Sequence, residues 1–550
     1  MKSLYSLFVL LFAVNVTVAQ FTFQSPTETI QHVSNPEVVV PIVASISYQG
    51  YDETQAYFGE GEYEIFLDNV DGVLDKPIII LDGFDPGDAR DINGLYSSFA
   101  FGGQNLADIV RNEGFDIVIL NAPVYNTDGK DIDGGADFIQ RNAMVLVELI
   151  NEMNDQKVGD EELVVLGPSM GGLIARYGLA YMEQNSLEHD TRLFISFDSP
   201  HKGANIPIGL QYLINYLADE FNDPQAQAIV NSVLNSPAAK EMLYDHLLGH
   251  LLAGSPTQQD PTKLLPAGAP DFRDAFQAEL DALGFPQDVR NVAMINGAGN
   301  GTTIGMPGMQ VVDTNLSITA GVTADVSIHF TPEANQTNNV TTFTTFLIGI
   351  PTDTFEADAE SGAIAGVDAA PGGFSNISNA LGGGGGNPVI QAFVDALDQD
   401  QFSFIPTISA LALETKDDWY ATPDLGDSPF VAFHIPSTNE GHVQPTTQNI
   451  LFALSEIRQQ PLGVEEVSVN ERFQLERNPV GNTINIFCNQ TTLSPTVGVK
   501  IYNSMGQLLT QQSAEISSNK ISLPHTLSAG LYFIQLDGGN GAQTLKFLVK

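Results

Sequence analysis

Residues 162–180 constrain the fold more than any other segment. The apolar run Leu163-Val164-Val165-Leu166 passes without a break into Gly167-Pro168-Ser169-Met170-Gly171-Gly172, and then into Leu173-Ile174-Ala175-Arg176-Tyr177-Gly178-Leu179-Ala180. Aliphatic residues, then small ones, then helix formers read as a buried strand, a tight turn and a helix. A G-x-S-x-G turn in that context reverses the chain sharply, leaving Ser169 strained with its hydroxyl outward. Gly167 and Gly171 are expected to be small because neighbouring backbone passes close to them. The Met170 N–H falls at a helix N-terminus, where it faces any negative charge that develops nearby. Ser169 is therefore the candidate nucleophile, and the Met170 amide a candidate oxyanion donor.

Such a strand needs a parallel sheet around it. Ile78-Ile79-Ile80-Leu81, ending in Asp82-Gly83-Phe84, is one continuous apolar run; Phe115–Leu120, Arg192–Phe197 and Asn291–Asn296 are others. Strands buried on both faces read this way. Helical spacing recurs around Leu106–Asn112 and through Ile139–Asn154. The alternation predicts a right-handed α/β architecture. Between Asn205 and Asp288 the strand pattern stops. Ile206, Leu210, Leu213, Ile214 and Leu217 fall at helical spacing, and further helices are expected near Ala238–Leu252 and Phe272–Leu283. This predicts a helical cap (about 205–288), apolar and suited to an acyl or other lipophilic substrate. From about 299 to 395 the chain is rich in Gly, Thr and Asn, with strand-like alternation at Gln310–Thr319 and Asp325–Phe330 and a glycine run, Gly382–Gly386, read as a hinge. A β-rich insertion near the mouth of the site is expected there.

The elbow and its flanks resemble the α/β-hydrolases of the lipase and esterase type. Asp198-Ser199-Pro200-His201-Lys202-Gly203-Ala204, after the sixth strand, is similar to the S/A-P-H-x-G-S/A turn of many lipases. Gly83-Phe84 stands where these enzymes have His-Gly-x, with Asp82 in place of the histidine. The resemblance implies that the Phe84 amide is the second oxyanion donor. It also implies a histidine in a loop between the last strand and the last helix, after the acid in chain order. Of nine histidines, His442 lies in such a loop, Asn439–Val443, between the strand Phe430–His434 and a helix from Thr446 to Arg458. His434 is expected to pack in its strand and His201 to be structural. His246 and His250, four apart on a predicted helix, read as a surface pair. His32, His189 and His329 lack a strand-end context, and His525 lies in the C-terminal module. For the acid, Asp198 at the end of the sixth strand ranks first. Asp313, in the insertion, and Asp400, just after it, are the alternatives.

The chain has 22 Lys and Arg against 66 Asp and Glu, a formal net charge of −44. A surface of that sign repels phosphate, so nucleic acid and anionic bilayers are not expected partners. Cys488 is the single cysteine, so an intrachain disulfide and a Cys-rich zinc site are excluded. Serine-based ester cleavage requires no cofactor or metal.

Both ends read as addresses. Lys2, the apolar run Leu4–Val18 and the small residues Thr17 and Ala19 before Gln20 form a signal-peptide pattern over residues 1–19. No later stretch is long and apolar enough to span a membrane, so the mature chain is expected to have no integral segment. The catalytic domain is assigned to 20–460 and a linker to 461–477. The remainder, 478–550, is a small antiparallel β module. Its Asn478-Pro479, Val499–Gln507, Leu527–Ile534 and closing Lys546–Lys550 resemble the type A C-terminal sorting domain of the type IX secretion system of Bacteroidetes. The resemblance implies contact with that secretion machinery, export through the periplasm, and a secreted or cell-surface location. The expectation is a secreted serine hydrolase of small-molecule or lipid carboxylic esters. An amidase or peptidase with the same triad, and a silent binding protein on a hydrolase fold, are the alternatives.

Overall fold

The computed structural model describes residues 38–381, 387–413, 418–458, 473–488, 496–503, 507–517, 519–537 and 542–550. The signal segment, most of the linker, the Gly382–Gly386 run and residues 504–506 lie outside these. The chain divides into two compact units after Arg458.

The first unit is built on an eight-stranded mixed sheet. Its strands are β1 (Val40–Tyr48), β2 (Tyr57–Phe66), β3 (Pro77–Leu81), β4 (Asp116–Asn121), β5 (Leu163–Pro168), β6 (Thr191–Phe197), β7 (Arg290–Met294) and β8 (Ala432–His434). The spatial order is β1-β2-β4-β3-β5-β6-β7-β8. Strands β3 to β8 pair in parallel, and β2 joins β1 and β4 in antiparallel fashion. The helices between and after them include α1 (Leu106–Arg111), α2 (Ile139–Gln156), α3 (Met170–Gln184), α4 (Ile208–Glu220), α5 (Arg273–Leu283) and α6 (Thr447–Ile457).

The continuous apolar runs follow from the layering. Successive side chains point to opposite faces of a strand, and both faces are covered. Ile79, Leu81, Val118 and Val165 enter one core with residues of α2 and α3. Ile78, Ile80, Ile117 and Leu166 enter another with residues of α1 and α6. A fully buried Ile or Val contributes roughly 1.5–3 kcal/mol, so a charge within these runs would be costly on either face. Helix α6 opens with a reciprocal cap: Thr446 Oγ1 accepts from the Asn449 amide at 3.3 Å, and Asn449 Oδ1 accepts from the Thr446 amide at 2.8 Å.

The segment between β6 and β7 holds α4 and α5, as the apolar spacing predicts. The helix expected over Ala238–Leu252 is instead a short one, Pro237–Met242, followed by a single 3-10 turn, Leu247–Gly249. His246 and His250 are consequently not a surface pair on a helix. Both are buried. His246 Nε2 lies 2.8 Å from the Leu234 carbonyl, and His250 Nε2 lies 2.6 Å from Asp245 Oδ1. The segment between β7 and β8 carries a four-stranded antiparallel sheet, Gln310–Thr319, Val322–His329, Thr337–Leu347 and Ile350–Glu360. It also carries the antiparallel pair Gly372–Asn376 and Gln401–Pro406. Helix α4 lies against the four-stranded sheet: Thr341 Oγ1 donates to the Gly209 carbonyl at 2.6 Å.

The second unit has a three-stranded and a four-stranded antiparallel sheet over a core that includes Phe473, Ile486, Val499, Ile521, Ile534 and Phe547. Its first described strand, Phe473–Leu475, pairs with Thr483–Cys488 and lies within the stretch read as linker.

Candidate active site

Ser169 joins β5 to α3 with φ 52° and ψ −126°. Backbone in this region costs roughly 1–3 kcal/mol for a residue with a side chain, and surrounding contacts hold it there. The Ser169 amide donates to the Phe197 carbonyl at 2.8 Å, and its carbonyl accepts from the Gly172 amide at 3.1 Å. A Cβ on Gly167 would lie 2.4 Å from the Gly171 carbonyl oxygen, and one on Gly171 would lie 2.7 Å from that of Asp82. The glycines of the motif are thus required by close backbone passage.

His442 follows β8 in a loop stitched to its neighbours by backbone hydrogen bonds. Its amide donates to the Phe374 carbonyl at 2.9 Å, the Phe374 amide to the Glu440 carbonyl at 3.0 Å, and the Glu440 amide to the Asn296 carbonyl at 2.8 Å. The imidazole is buried and lies between two partners. Nε2 is 2.9 Å from Ser169 Oγ, and Nδ1 is 2.7 Å from Asp198 Oδ2. Asp198, at the carboxyl end of β6, is fully buried. Its other oxygen, Oδ1, accepts from the Asn296 amide at 3.0 Å. The Phe404 ring meets the imidazole edge-on at 4.8 Å between centroids.

The structure therefore brings Ser169, His442 and Asp198 together. Both alternative acids lie elsewhere. Asp400 accepts from the Ser378 amide, the Ser378 hydroxyl and Asn376 Nδ2, each at 2.7 Å, and so anchors the short helix Ile377–Ala380. Asp313 is exposed on its strand. His201 is fully buried, its Nε2 2.8 Å from Ser196 Oγ, and burial depresses its pKa well below the usual range. His434 ends β8 and packs near the Phe452 ring.

The loop after β3 runs beside Ser169. A Cβ on Gly83 would lie 3.2 Å from Ser169 Cβ, which brings the backbone leading to Phe84 alongside the hydroxyl. Asp82, where a histidine stands in the resembling enzymes, braces this loop. It is buried, accepts from the Gly83 amide at 2.7 Å and pairs with Arg90. Burial holds its carboxyl pKa above the ordinary range, against the pull of Arg90.

Three supporting positions escaped the sequence reading. Gly373 passes so close to Asp198 that a Cβ there would lie 2.0 Å from Oδ2. Asn296, two residues beyond β7, reaches Asp198 through its amide and Glu440 Oε2 through its side chain at 2.9 Å. Glu440 has its pKa raised, chiefly by burial and further by the charge of Asp198. Only Glu440, two residues before a candidate histidine, left any sequence signal. Among the described residues, no group of three or more His, Cys, Asp or Glu is arranged to hold a metal ion, and no helix is long and apolar enough to cross a membrane.

Comparison with known proteins bears first on the C-terminal unit. Residues 478–550 match the family model of the secretion system C-terminal sorting domain. This segment is a sorting domain. A sorting domain implies export of the chain to which it is attached. No curated protein matches the chain in sequence. Among solved structures it is similar to Bacillus licheniformis lipase BlEst2 in its mature form, at 11% identity over 43% of this chain and 72% of that one, TM-score 0.25. It is also similar to Est1E from Butyrivibrio proteoclasticus, at 12% identity over 43% and 73%, TM-score 0.22. A third is the Pyrobaculum calidifontis esterase, at 13% identity over 46% and 74%, TM-score 0.23.

Proposed function

We propose that this chain is a secreted serine hydrolase of the α/β-hydrolase type that cleaves carboxylic esters through an acyl-enzyme. The observation that carries the reading is the unbroken line from Ser169 Oγ through the His442 imidazole to Asp198, spaced at 2.9 and 2.7 Å and set on a strained elbow. The chain order of serine, acid, histidine also supports it.

Ser169 Oγ attacks the ester carbonyl as its proton passes to His442 Nε2. Asp198 accepts a hydrogen bond from His442 Nδ1, which fixes the ring and stabilises the imidazolium that forms. The Met170 and Phe84 amides receive the negative oxygen of the tetrahedral intermediate. His442 then returns the proton to the departing alcohol. Water, deprotonated by the same imidazole, attacks the acyl-enzyme; the imidazolium then returns that proton to Ser169 Oγ as the C–O bond to the serine breaks and the acid product leaves. The sorting domain directs the protein to the type IX secretion machinery, and the mature enzyme acts outside the cell or on its surface. Hydrolysis of a short-chain aryl ester by wild type and by Ser169→Ala tests the reading. Loss of about 10³-fold or more in kcat is expected for the variant, and near-wild-type turnover would overturn the assignment.

A further inference from the structure

An apolar cavity lies between α4, the helix Pro388–Asp395 and the four-stranded insertion sheet, with Leu213, Ile214, Leu217, Val326, Phe343 and Thr345 among its walls. Phe84, on the loop that runs past Ser169, packs against the apolar cluster of Ile214, Ala218, Ala226, Ile229 and Val233. Ile214, Ala226 and Ile229 also line the cavity, so one cavity wall belongs to a cluster that the Phe84 loop touches.

In the other direction the wall runs out to the surface. Val326 pairs with Phe343, Ala324 with Thr345, Val322 with Leu347, and Leu347 with Ile350. Alternate residues of a strand share a face, and so do directly paired residues of neighbouring strands. Leu347 and Ile350 therefore continue the face that Phe343 and Thr345 present to the cavity. They end in a two-residue turn, Ile348-Gly349, and there the apolar stripe is bare. Leu347 is 40%, Ile348 82% and Ile350 67% exposed.

The turn itself is unusual. Ile348 has φ +51° and Gly349 φ +76°. A hairpin turn with positive φ at both central residues is normally Asn-Gly or Asp-Gly, and a β-branched residue in that conformation is strained. An isoleucine is held where both solvent exposure and backbone geometry oppose it. A contiguous exposed aliphatic tip of this kind marks an interaction surface. With a formal net charge of −44, the chain is repelled by anionic bilayers but not by uncharged or zwitterionic lipid.

We infer that the Leu347–Ile350 hairpin tip inserts into the surface of an aggregated neutral ester lipid, and that the adjoining cavity receives the acyl chain. This rests on the ester-hydrolase reading for the substrate, but the insertion itself is measurable without catalysis. The experiment uses the full chain and a triacylglycerol emulsion coated with phosphatidylcholine, comparing wild type with Ile348→Asn and Ile350→Ser in flotation. Asparagine suits the positive φ of position 348, so that variant keeps the turn. Wild type is expected to float with the emulsion, and each variant to lose about fivefold or more of its bound fraction. Turnover of a soluble short-chain ester should stay within about twofold. Equal flotation of wild type and variants, or no flotation of wild type, overturns the inference, as does a parallel loss of soluble-ester turnover, which would make the tip structural. Variant-sensitive flotation by a chain that hydrolyses no ester supports the insertion and sinks the ester-hydrolase reading instead.

Discussion

Gly373 has no side chain where Asp198 needs the room: a Cβ there would lie 2.0 Å from Asp198 Oδ2, the oxygen that faces His442 Nδ1 at 2.7 Å. A residue of the insertion thus shapes the seat of the proposed acid. Gly373→Ala is expected to push the carboxylate off the imidazole, lowering kcat by about 10²-fold or more with KM within about threefold. The thermal midpoint should fall only by the equivalent of about 1–3 kcal/mol of overpacking. Steady-state kinetics beside a melting curve check this, and unchanged kcat would detach Gly373 from the site.

The acid assignment is tested by three variants made side by side. Asp198→Asn should lower kcat by roughly 10²–10⁴-fold, because it leaves the imidazolium without its partner. Asp313→Asn, at an exposed strand position, should stay within about twofold of wild type. Asp400→Asn should also retain activity while losing about 1 kcal/mol of stability, since its carboxylate anchors the helix Ile377–Ala380.

Several buried carboxyls have their pKa raised above the ordinary carboxylate range. Burial raises Asp85 and Asp137 to about 6, and it also raises Glu241. Between an unfolded pKa of about 3.9 and these folded values, the native state holds protons that the unfolded chain has released. The stability these carboxyls contribute is lost as pH rises through that window, whereas the buried His201 and His246, whose pKa values burial depresses, contribute in the opposite sense. The part that belongs to Asp85 is isolated by Asp85→Asn. Relative to wild type, the thermal midpoint of that variant should rise between about pH 5 and about pH 7.5. A difference between the two proteins that does not change with pH would contradict this.

A chain ending at Arg458 retains all eight strands of the central sheet and the helix Thr447–Ile457. It should therefore fold and hydrolyse ester like the full chain, since no residue of the proposed site lies beyond it. Expressed in a host with type IX secretion, it should accumulate in the periplasm while the full chain reaches the surface or medium. Fractionation of both forms decides this, and equal release would separate the sorting domain from export.

Legibility followed burial. Ile78–Leu81 and Leu163–Leu166 announce themselves because both faces of each strand are covered, and the elbow because Gly167 and Gly171 meet backbone. Strands β1 and β2 leave a weaker signal in the sequence. β1 is the edge strand and β2 its neighbour, both alternate in exposure, and Gly59 and Gly61 break the apolar pattern of β2. His246 and His250 misled because a spacing of four suggests one helix, whereas the chain leaves the helix at Met242 and buries both rings in polar contacts with Leu234 and Asp245. Gly373, Asn296 and Phe404 act on the site through contacts between segments remote in sequence, and no local pattern encodes those.

Reaction of the full chain with a fluorophosphonate, followed by peptide mass mapping, tests the central claim most directly. The account predicts one covalent adduct, on Ser169, absent in Ser169→Ala and formed at least about 10²-fold more slowly in His442→Ala. No adduct, or an adduct on another residue that survives Ser169→Ala, would contradict it.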